Sequence, residues 1–400
     1  MARPRIALVC HNAIRRDGEG RGNYELAKHL ARRGYGVHLL ANRADPDLLN
    51  LPALRYEHIA VGVQRPTLLK YMIFREMATR QLARGGFDLV HLTGAVTRGA
   101  YDAMTCQFCH GGWRAIPATW RGERGARGAY HRLSTAVYAR MERRACGQPG
   151  GALVAVSEKI RGEMRRFAGP GAKHVFVVHN GVDPAEFGGV RREEARERLA
   201  AELGLGRGDV VLLFAGDLRT ERKGLRYLLE ALGLLPPHVK LLVAGRERGS
   251  PFLRLGERPS FRGRVQFLGF RRDLPEILAA SDLFVFPTLY DPCPTVVLEA
   301  MASGTPVVVS SPAYCGTSEL IQDMHSGVLL TAPTDPGEIA AKIEILARDY
   351  QLRQEIGDNG RRAAAQHTWE RVGEAYEEIF TRCGAPQGSR AAVCISGRTR

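Results

Sequence analysis

The chain has 400 residues, 44% of them hydrophobic and 25% charged. That is more than one ordinary core needs and enough for two, so a short disordered or single-motif protein is excluded. Its 57 Lys and Arg against 42 Asp and Glu give a formal charge of +15, which favours an anionic partner: nucleic acid, phospholipid or a phosphorylated substrate.

No stretch approaches the roughly 20 apolar residues of a membrane-spanning helix. Ile6 to Cys10 reads as a first strand rather than a signal peptide, so a cytoplasmic location is expected, and the eight cysteines (10, 106, 109, 146, 293, 315, 383 and 394) read as reduced thiols. After the strand, Arg16 to Asn23 (RDGEGRGN) leads into a helix over Asn23 to Arg33, with Leu26, Ala27, Leu30 and Ala31 on one face and Gly34 as its stop. Glycines in that loop let backbone approach a phosphate. Val37 to Ala41 is the next strand. Asp45 and Asp47 follow it as the one Asp-x-Asp, and read as a solvated loop rather than a metal–diphosphate clamp.

Further strands are predicted at Leu89 to Leu92, Val154 to Ser157 and Val175 to Val178, a strand–helix alternation that implies a parallel sheet covered by helices. Thr105 to Trp113, TCQFCHGGW, spells the pattern of c-type haem attachment. That reading is rejected, because such attachment accompanies export, and zinc would need ligands that no paired motif supplies. The apolar run predicts instead a buried strand ending at His110 in an interdomain cleft. Trp113 to Arg144 sets eight arginines (114, 121, 124, 127, 132, 140, 143 and 144) among Trp113, Trp120, Tyr130 and Tyr138, against only Glu123 and Glu142. Such a segment can seat on an anionic membrane surface, bind single-stranded nucleic acid, or be a solvated helical hairpin.

The turn-rich His179 to Phe187 (HNGVDPAEF) suits a domain connection, giving a first domain over 1–180 and a second over 181–366. The second set has strands at Val210 to Ala215, Lys240 to Ala244, Val265 to Leu268, Leu283 to Phe286 and Val307 to Ser310, with a helix over Leu225 to Leu235. Two doubly wound halves predict a cleft with ligands at the carboxyl ends of the strands. On the loop Ala215 to Gly224 (AGDLRTERKG), Arg219 and Lys223 face that cleft, where two cations would neutralise a leaving diphosphate. In Phe286 to Ser311, Asp291 sits in a loop at a strand end, a helix opens near Thr295, and Glu299 projects from it. Helix amides attract phosphate oxygens and a carboxylate grips vicinal ribose hydroxyls, which suits a nucleotide sugar. Taken alone, an isolated carboxylate pair of this kind reads first as a surface loop followed by a buried helix with one satisfied Glu. Thr368 to Arg382 is a last helix with Val372, Ala375, Tyr376, Ile379 and Phe380 on one stripe, and 384–400 is expected to be disordered.

Together LYDPCPTVVLEAMASGTPVVVS, GDLRTERKG, VQFLGFRRDL and HNGVDPAEF, four motifs in the family's order along the chain, resemble family 4 glycosyltransferases of the GT-B fold, over about residues 4 to 382. The DPCP version of the acidic motif and the position of the basic insertion resemble the lipopolysaccharide core glucosyltransferases. The resemblance implies two Rossmann-like α/β domains facing a cleft, with the terminal helix, 367–383, crossing back to the first. It implies a metal-independent, retaining hexosyltransferase without a cofactor that takes a nucleotide sugar, UDP-glucose foremost, to a glycan or lipid-linked acceptor. The setting would be lipopolysaccharide or cell-envelope glycan synthesis, peripheral on the inner face of the membrane. By position, Glu299 binds the ribose, Arg219 and Lys223 the diphosphate, and Asp291 the transferred sugar, where the family has Glu in place of Asp291. Amides from Pro294, Thr295, Val296 and Val297 assist, and Gly18 stands for half of the family's Gly pair. His110 contacts the donor sugar, unless it is a loop histidine bonded to backbone. The rival readings are a sugar-nucleotide epimerase of the same fold and a basic nucleic-acid-binding protein. The latter rests on charge alone, with no recognition helix, zinc finger or RNA-binding signature, so no nucleic-acid partner is expected.

Overall fold

The computed structural model of the protein describes residues 4–63, 65–116, 125–169, 172 and 174–383; Trp120, Arg121, Glu123, Arg124 and the 384–400 tail lie outside them. The first lobe runs β1 (Arg5–Ala13), α1 (Gly20–Arg32), β2 (Gly36–Ala44), β3 (Leu54–His58), α2 (Thr67–Leu82), β4 (Leu89–Thr93), β5 (Ala103–Cys106), α3 (His110–Arg114), α4 (Gly125–Cys146), β6 (Ala152–Ala155), α5 (Glu158–Phe167) and β7 (Val175–Val177). Its strands form one parallel sheet in the order β3-β2-β1-β4-β5-β6-β7. Helices α6 (Pro184–Gly188) and α7 (Arg192–Leu203) lead to the second lobe.

There β8 (Val210–Ala215), α8 (Leu225–Leu232), β9 (Val239–Ala244), α9 (Leu253–Gly256), β10 (Val265–Gly269), α10 (Leu274–Ala280), β11 (Leu283–Phe286), α11 (Thr295–Ser303), β12 (Val307–Ser310) and β13 (Val328–Leu330) build a second parallel sheet, β10-β9-β8-β11-β12-β13. Helices α12 (Pro336–Arg348), α13 (Tyr350–Ala364) and α14 (Trp369–Cys383) are the last of the described elements. β8 reads VVLLFA and is buried at every position, as expected of a central strand with helices on both faces. Strand order reverses between β1 and β4 and between β8 and β11, so the loops leaving these strands open onto the crevice where doubly wound sheets bind ligands.

The terminal stripe behaves as its spacing demands. Tyr376, Ile379 and Phe380 of α14 join the core of the first lobe with Leu26 and Leu30 of α1, and the Tyr376 hydroxyl meets Thr105 Oγ1 at 2.7 Å, so the helix crosses back. All seven described cysteines are free thiols. Two expectations need correction. The strand expected to reach His110 ends at Cys106, because the chain turns at Cys109, whose sulfur accepts the Gly112 amide and caps α3. Helix α1 starts at Gly20, three residues before the expected Asn23, which moves Arg21 out of the loop and buries it.

Candidate active site

The loop leaving β8 is shaped by three local devices. The Thr220 hydroxyl accepts the Arg222 amide at 3.2 Å and winds Glu221–Lys223 into a single 3₁₀ turn. Gly224 then takes φ +75°, and a Cβ there would stand 1.9 Å from the Pro287 carbonyl, so only glycine lets this loop dock on the one leaving β11. The Arg222 carbonyl accepts the Leu289 amide at 2.8 Å and the Thr288 hydroxyl at 3.0 Å, which fixes the two loops in register.

Docking brings Lys223 Nζ into a direct ion pair with Asp291, and places Arg222 Nη1 3.8 Å from the same carboxylate and 3.1 Å from the Tyr290 carbonyl. Asp291 is itself clamped by backbone: its amide donates to Tyr314 O and its carbonyl accepts from Gly316, both at 2.8 Å. Asp291 is 6% exposed, so a lone ion pair here would be costly to desolvate, and Arg222 adds a second cation beside it. Burial, followed by the neighbouring Arg222 charge, holds the Lys223 ammonium below its ordinary pKa against the pull of Asp291. Two cations on one buried carboxylate make this corner an arrangement that can receive an anion.

Arg219 is not part of that corner. Its guanidinium is a fork on Asp217, Nε at 2.8 Å and Nη2 at 3.0 Å, and its side chain is about half exposed. The second cation beside Lys223 is therefore Arg222, one residue away in sequence. A signal for this was present: Asp217 two residues before Arg219 offers it a local partner.

Helix α11 opens at Thr295 behind Pro294, which brings no side-chain cap to the first-turn amides around Val296 and Val297. Glu299 follows one turn on, accepting from Thr295 and sharing its field with Arg21 of the first lobe and with Glu186 of α6, the helix packed against α11. Burial pushes its carboxyl up to about 7; Arg21 and the Thr295 hydroxyl oppose this and Glu186 adds to it. Arg21 is held by Glu25 (2.8 Å) and Glu186 (3.0 Å).

From the first lobe, Gly18 lies in the open loop, where an added Cβ would meet nothing within 4 Å. Beside it Glu19 is exposed; its carboxyl is raised by desolvation and by Asp17, and lowered by the charges of Arg222, Lys223 and His110. His110 is the first residue of α3. Its amide donates to Glu142 at 2.9 Å and its Nδ1 contacts the same carboxylate, so its partner is a side chain of α4 rather than backbone. Asp47 accepts the Tyr24 hydroxyl and Asp45 the Arg15 amide. Among the described residues no group of three His, Cys, Asp or Glu is arranged to hold a metal ion.

Two family models match in tandem: Glycosyltransferase Family 4 over residues 16–186 and Glycosyl transferases group 1 over 209–349. The chain belongs to glycosyltransferase family 4 and has the GT-B fold. It is 27% identical over 368 residues to an uncharacterized glycosyltransferase of Methanocaldococcus jannaschii, covering 89% of this chain and 92% of that one. Similarity to the lipopolysaccharide glucosyltransferase WaaG of Escherichia coli is 29% over 164 residues, 40% of this chain and 43% of the relative. Among solved folds, a WaaG crystal structure superposes with a TM-score of 0.76 at 22% identity, over 94% of this chain and 99% of the other. Anabaena HepE in complex with UDP-glucose gives 0.74 at 19%, over 95% and 100%.

Proposed function

We propose that this glycosyltransferase moves a hexose from a nucleoside diphosphate sugar to a glycan or lipid-linked acceptor with retention of configuration, in lipopolysaccharide or cell-envelope glycan synthesis. The observation that supports it most is the pairing of Arg222 and Lys223 with a buried Asp291 beside the open N-terminus of α11. In this reading the two cations take the diphosphate, α11 amides assist, and Glu299 accepts hydrogen bonds from the ribose. Asp291 receives hydroxyls of the transferred sugar, and the departing phosphate takes the acceptor proton while Arg222 and Lys223 steady its charge. UDP-glucose is the first donor to try, since it is the donor named for HepE and glucose is the sugar WaaG transfers by name. A panel of UDP-, GDP- and ADP-hexoses, each with EDTA present, tests the reading by nucleotide release. Release from at least one donor is expected, and a panel that releases nothing overturns the proposal.

The basic aromatic segment supports an acceptor presented at a membrane surface. On α4, Arg127, Arg132, Arg140, Arg143 and Arg144 are exposed together with Tyr130 and Leu133, the latter 61% exposed. The Leu68 amide donates to the Tyr130 hydroxyl at 2.9 Å, which sets the exposed Leu69 of α2 beside them. Apolar tips among arginines match a headgroup layer with anionic lipid, each cation contributing about 1 kcal/mol near such a surface. No helix among the described residues is long and apolar enough to cross a membrane. Flotation with vesicles containing anionic lipid is expected to carry the protein upward, less so at high salt and not with neutral vesicles; equal behaviour of both vesicle types would remove the membrane reading.

A further inference from the structure

Tyr290 belongs to the second lobe by connectivity, one residue before Asp291, yet its ring is fully buried within the core of the first lobe. Phe108 meets it edge-on at 5.1 Å and Trp113 at 5.4 Å, and the Lys159 ammonium stands 4.1 Å from its centroid. Its hydroxyl lies 2.6 Å from Glu163 Oε2 and 3.0 Å from the Cys109 carbonyl, two acceptors for one proton. The socket is assembled by α3 lying close on α5. A Cβ on Gly111 would come within 2.5 Å of Phe167, and one on Gly112 within 2.2 Å of the Glu163 carboxylate. The N-terminus of α5 is in turn held by the second lobe, where Glu319 accepts the amides of Glu158 (2.8 Å) and Lys159 (2.6 Å).

On its other side the same residue faces the anion corner. The Tyr290 carbonyl accepts from Arg222 Nη1, and the peptide bond that follows fixes where Asp291 begins. One residue thus touches the acceptor lobe through its ring and hydroxyl, and the phosphate-facing arginine through its carbonyl. The geometry points to Tyr290 as a positioning residue for sugar transfer: a peg that registers the loop leaving β11 against the first lobe, so that Asp291 is in place for the transferred sugar only while Tyr290 is seated between Phe108, Trp113, Lys159 and Glu163. This rests on the glycosyl-transfer reading above. Glu299 and the amides of α11 lie outside the pegged loop, and Arg222 and Lys223 belong to the loop leaving β8, so UDP binding does not depend on the peg, whereas alignment of the transferred sugar between the lobes does.

The experiment compares Tyr290→Phe, Tyr290→Ala and Glu163→Gln by steady-state transfer, by titration with UDP alone, and by hydrogen exchange. Tyr290→Ala is expected to lower kcat about a hundredfold with the UDP dissociation constant within about threefold of the parent, a split that simple loss of core packing would not give. Tyr290→Phe, which keeps the ring, should recover most of that loss, stopping about tenfold below the parent. Its effect and that of Glu163→Gln should fail to multiply in the double variant, because the first removes and the second weakens the same hydrogen bond. In Tyr290→Ala, exchange should rise together in 108–114 and 287–293. Unchanged kcat in both tyrosine variants, or equal weakening of UDP binding and turnover, would overturn the assignment. If the parent enzyme turns over no donor, the glycosyl-transfer reading fails by itself, and unchanged exchange at 108–114 in Tyr290→Ala would overturn the peg independently.

Discussion

Lys223→Met is expected to lower kcat by roughly 10²–10³-fold, the range seen when one preorganised stabiliser of developing negative charge is lost. The ammonium is buried, paired with Asp291 and seated over the Phe286 ring at 5.1 Å, so no water or mobile side chain can substitute for it at the leaving phosphate. Arg222→Met should follow closely, since its guanidinium is the other cation on the same carboxylate and also ties the Tyr290 carbonyl. Arg219→Met is the control. Its pair with Asp217 is a half-exposed surface contact, of the kind worth about 0–1 kcal/mol, and kcat should stay within about threefold of the parent. Lys223→Met leaves Asp291 short of its nearest counter-ion, so circular dichroism and Tm must accompany the kinetics to separate chemistry from folding. If Arg219→Met costs as much turnover as Lys223→Met, the diphosphate lies further out along the loop than Arg222, and the corner described here is not where it binds.

How much of this was legible in the sequence follows from the range of the interactions concerned. Asp291, Lys223 and the opening of α11 could be placed because the order strand, loop, helix fixes which end of a parallel sheet a loop leaves from, and the loops after β8 and β11 leave from the same end. The choice between Arg219 and Arg222 could not be made that way. It depends on a 3₁₀ turn pressed onto the Pro287 carbonyl through Gly224, a contact between segments more than 60 residues apart. Gly20 and Gly22 disfavour a helix and Asn23 favours a helix start, which by local preference leaves Arg21 in the loop; packing of Tyr24, Leu26 and Ala27 into the first-lobe core overrides that preference. Tyr290 left no local signal at all, since its socket is made by residues 108 to 163 of the other lobe.

Glu299→Ala should raise the donor KM about a hundredfold with little change in kcat. Two hydrogen bonds from ribose hydroxyls to a carboxylate, each worth about 1.5–3 kcal/mol, bind ground state and transition state alike. The acidity of this group adds a sharper test. In the unliganded protein burial holds its carboxyl up to about 7, while only the ionised form offers two acceptors to a diol. For the parent enzyme kcat/KM for donor should therefore be flat above about pH 7 and fall tenfold per unit below it, a limb that Glu299→Gln abolishes. Bound hydroxyls stabilise the anion and lower its pKa, so the corresponding limb of kcat must sit at lower pH, and donor binding near neutrality must release a proton, measurable by calorimetry in two buffers of different ionisation enthalpy. Folding responds with the opposite sign. A carboxyl whose pKa is raised from 4.5 to about 7 in the folded state binds more protons there than in the unfolded chain, so its contribution stabilises the fold as pH falls from about 7 towards 4.5 and weakens it as pH rises again. The ionised Glu299 is thus a cost the empty site bears at neutral pH and the ribose relieves. A donor KM independent of pH between 5.5 and 8 (roughly the span a group near 7 must show) would remove Glu299 from the nucleotide site.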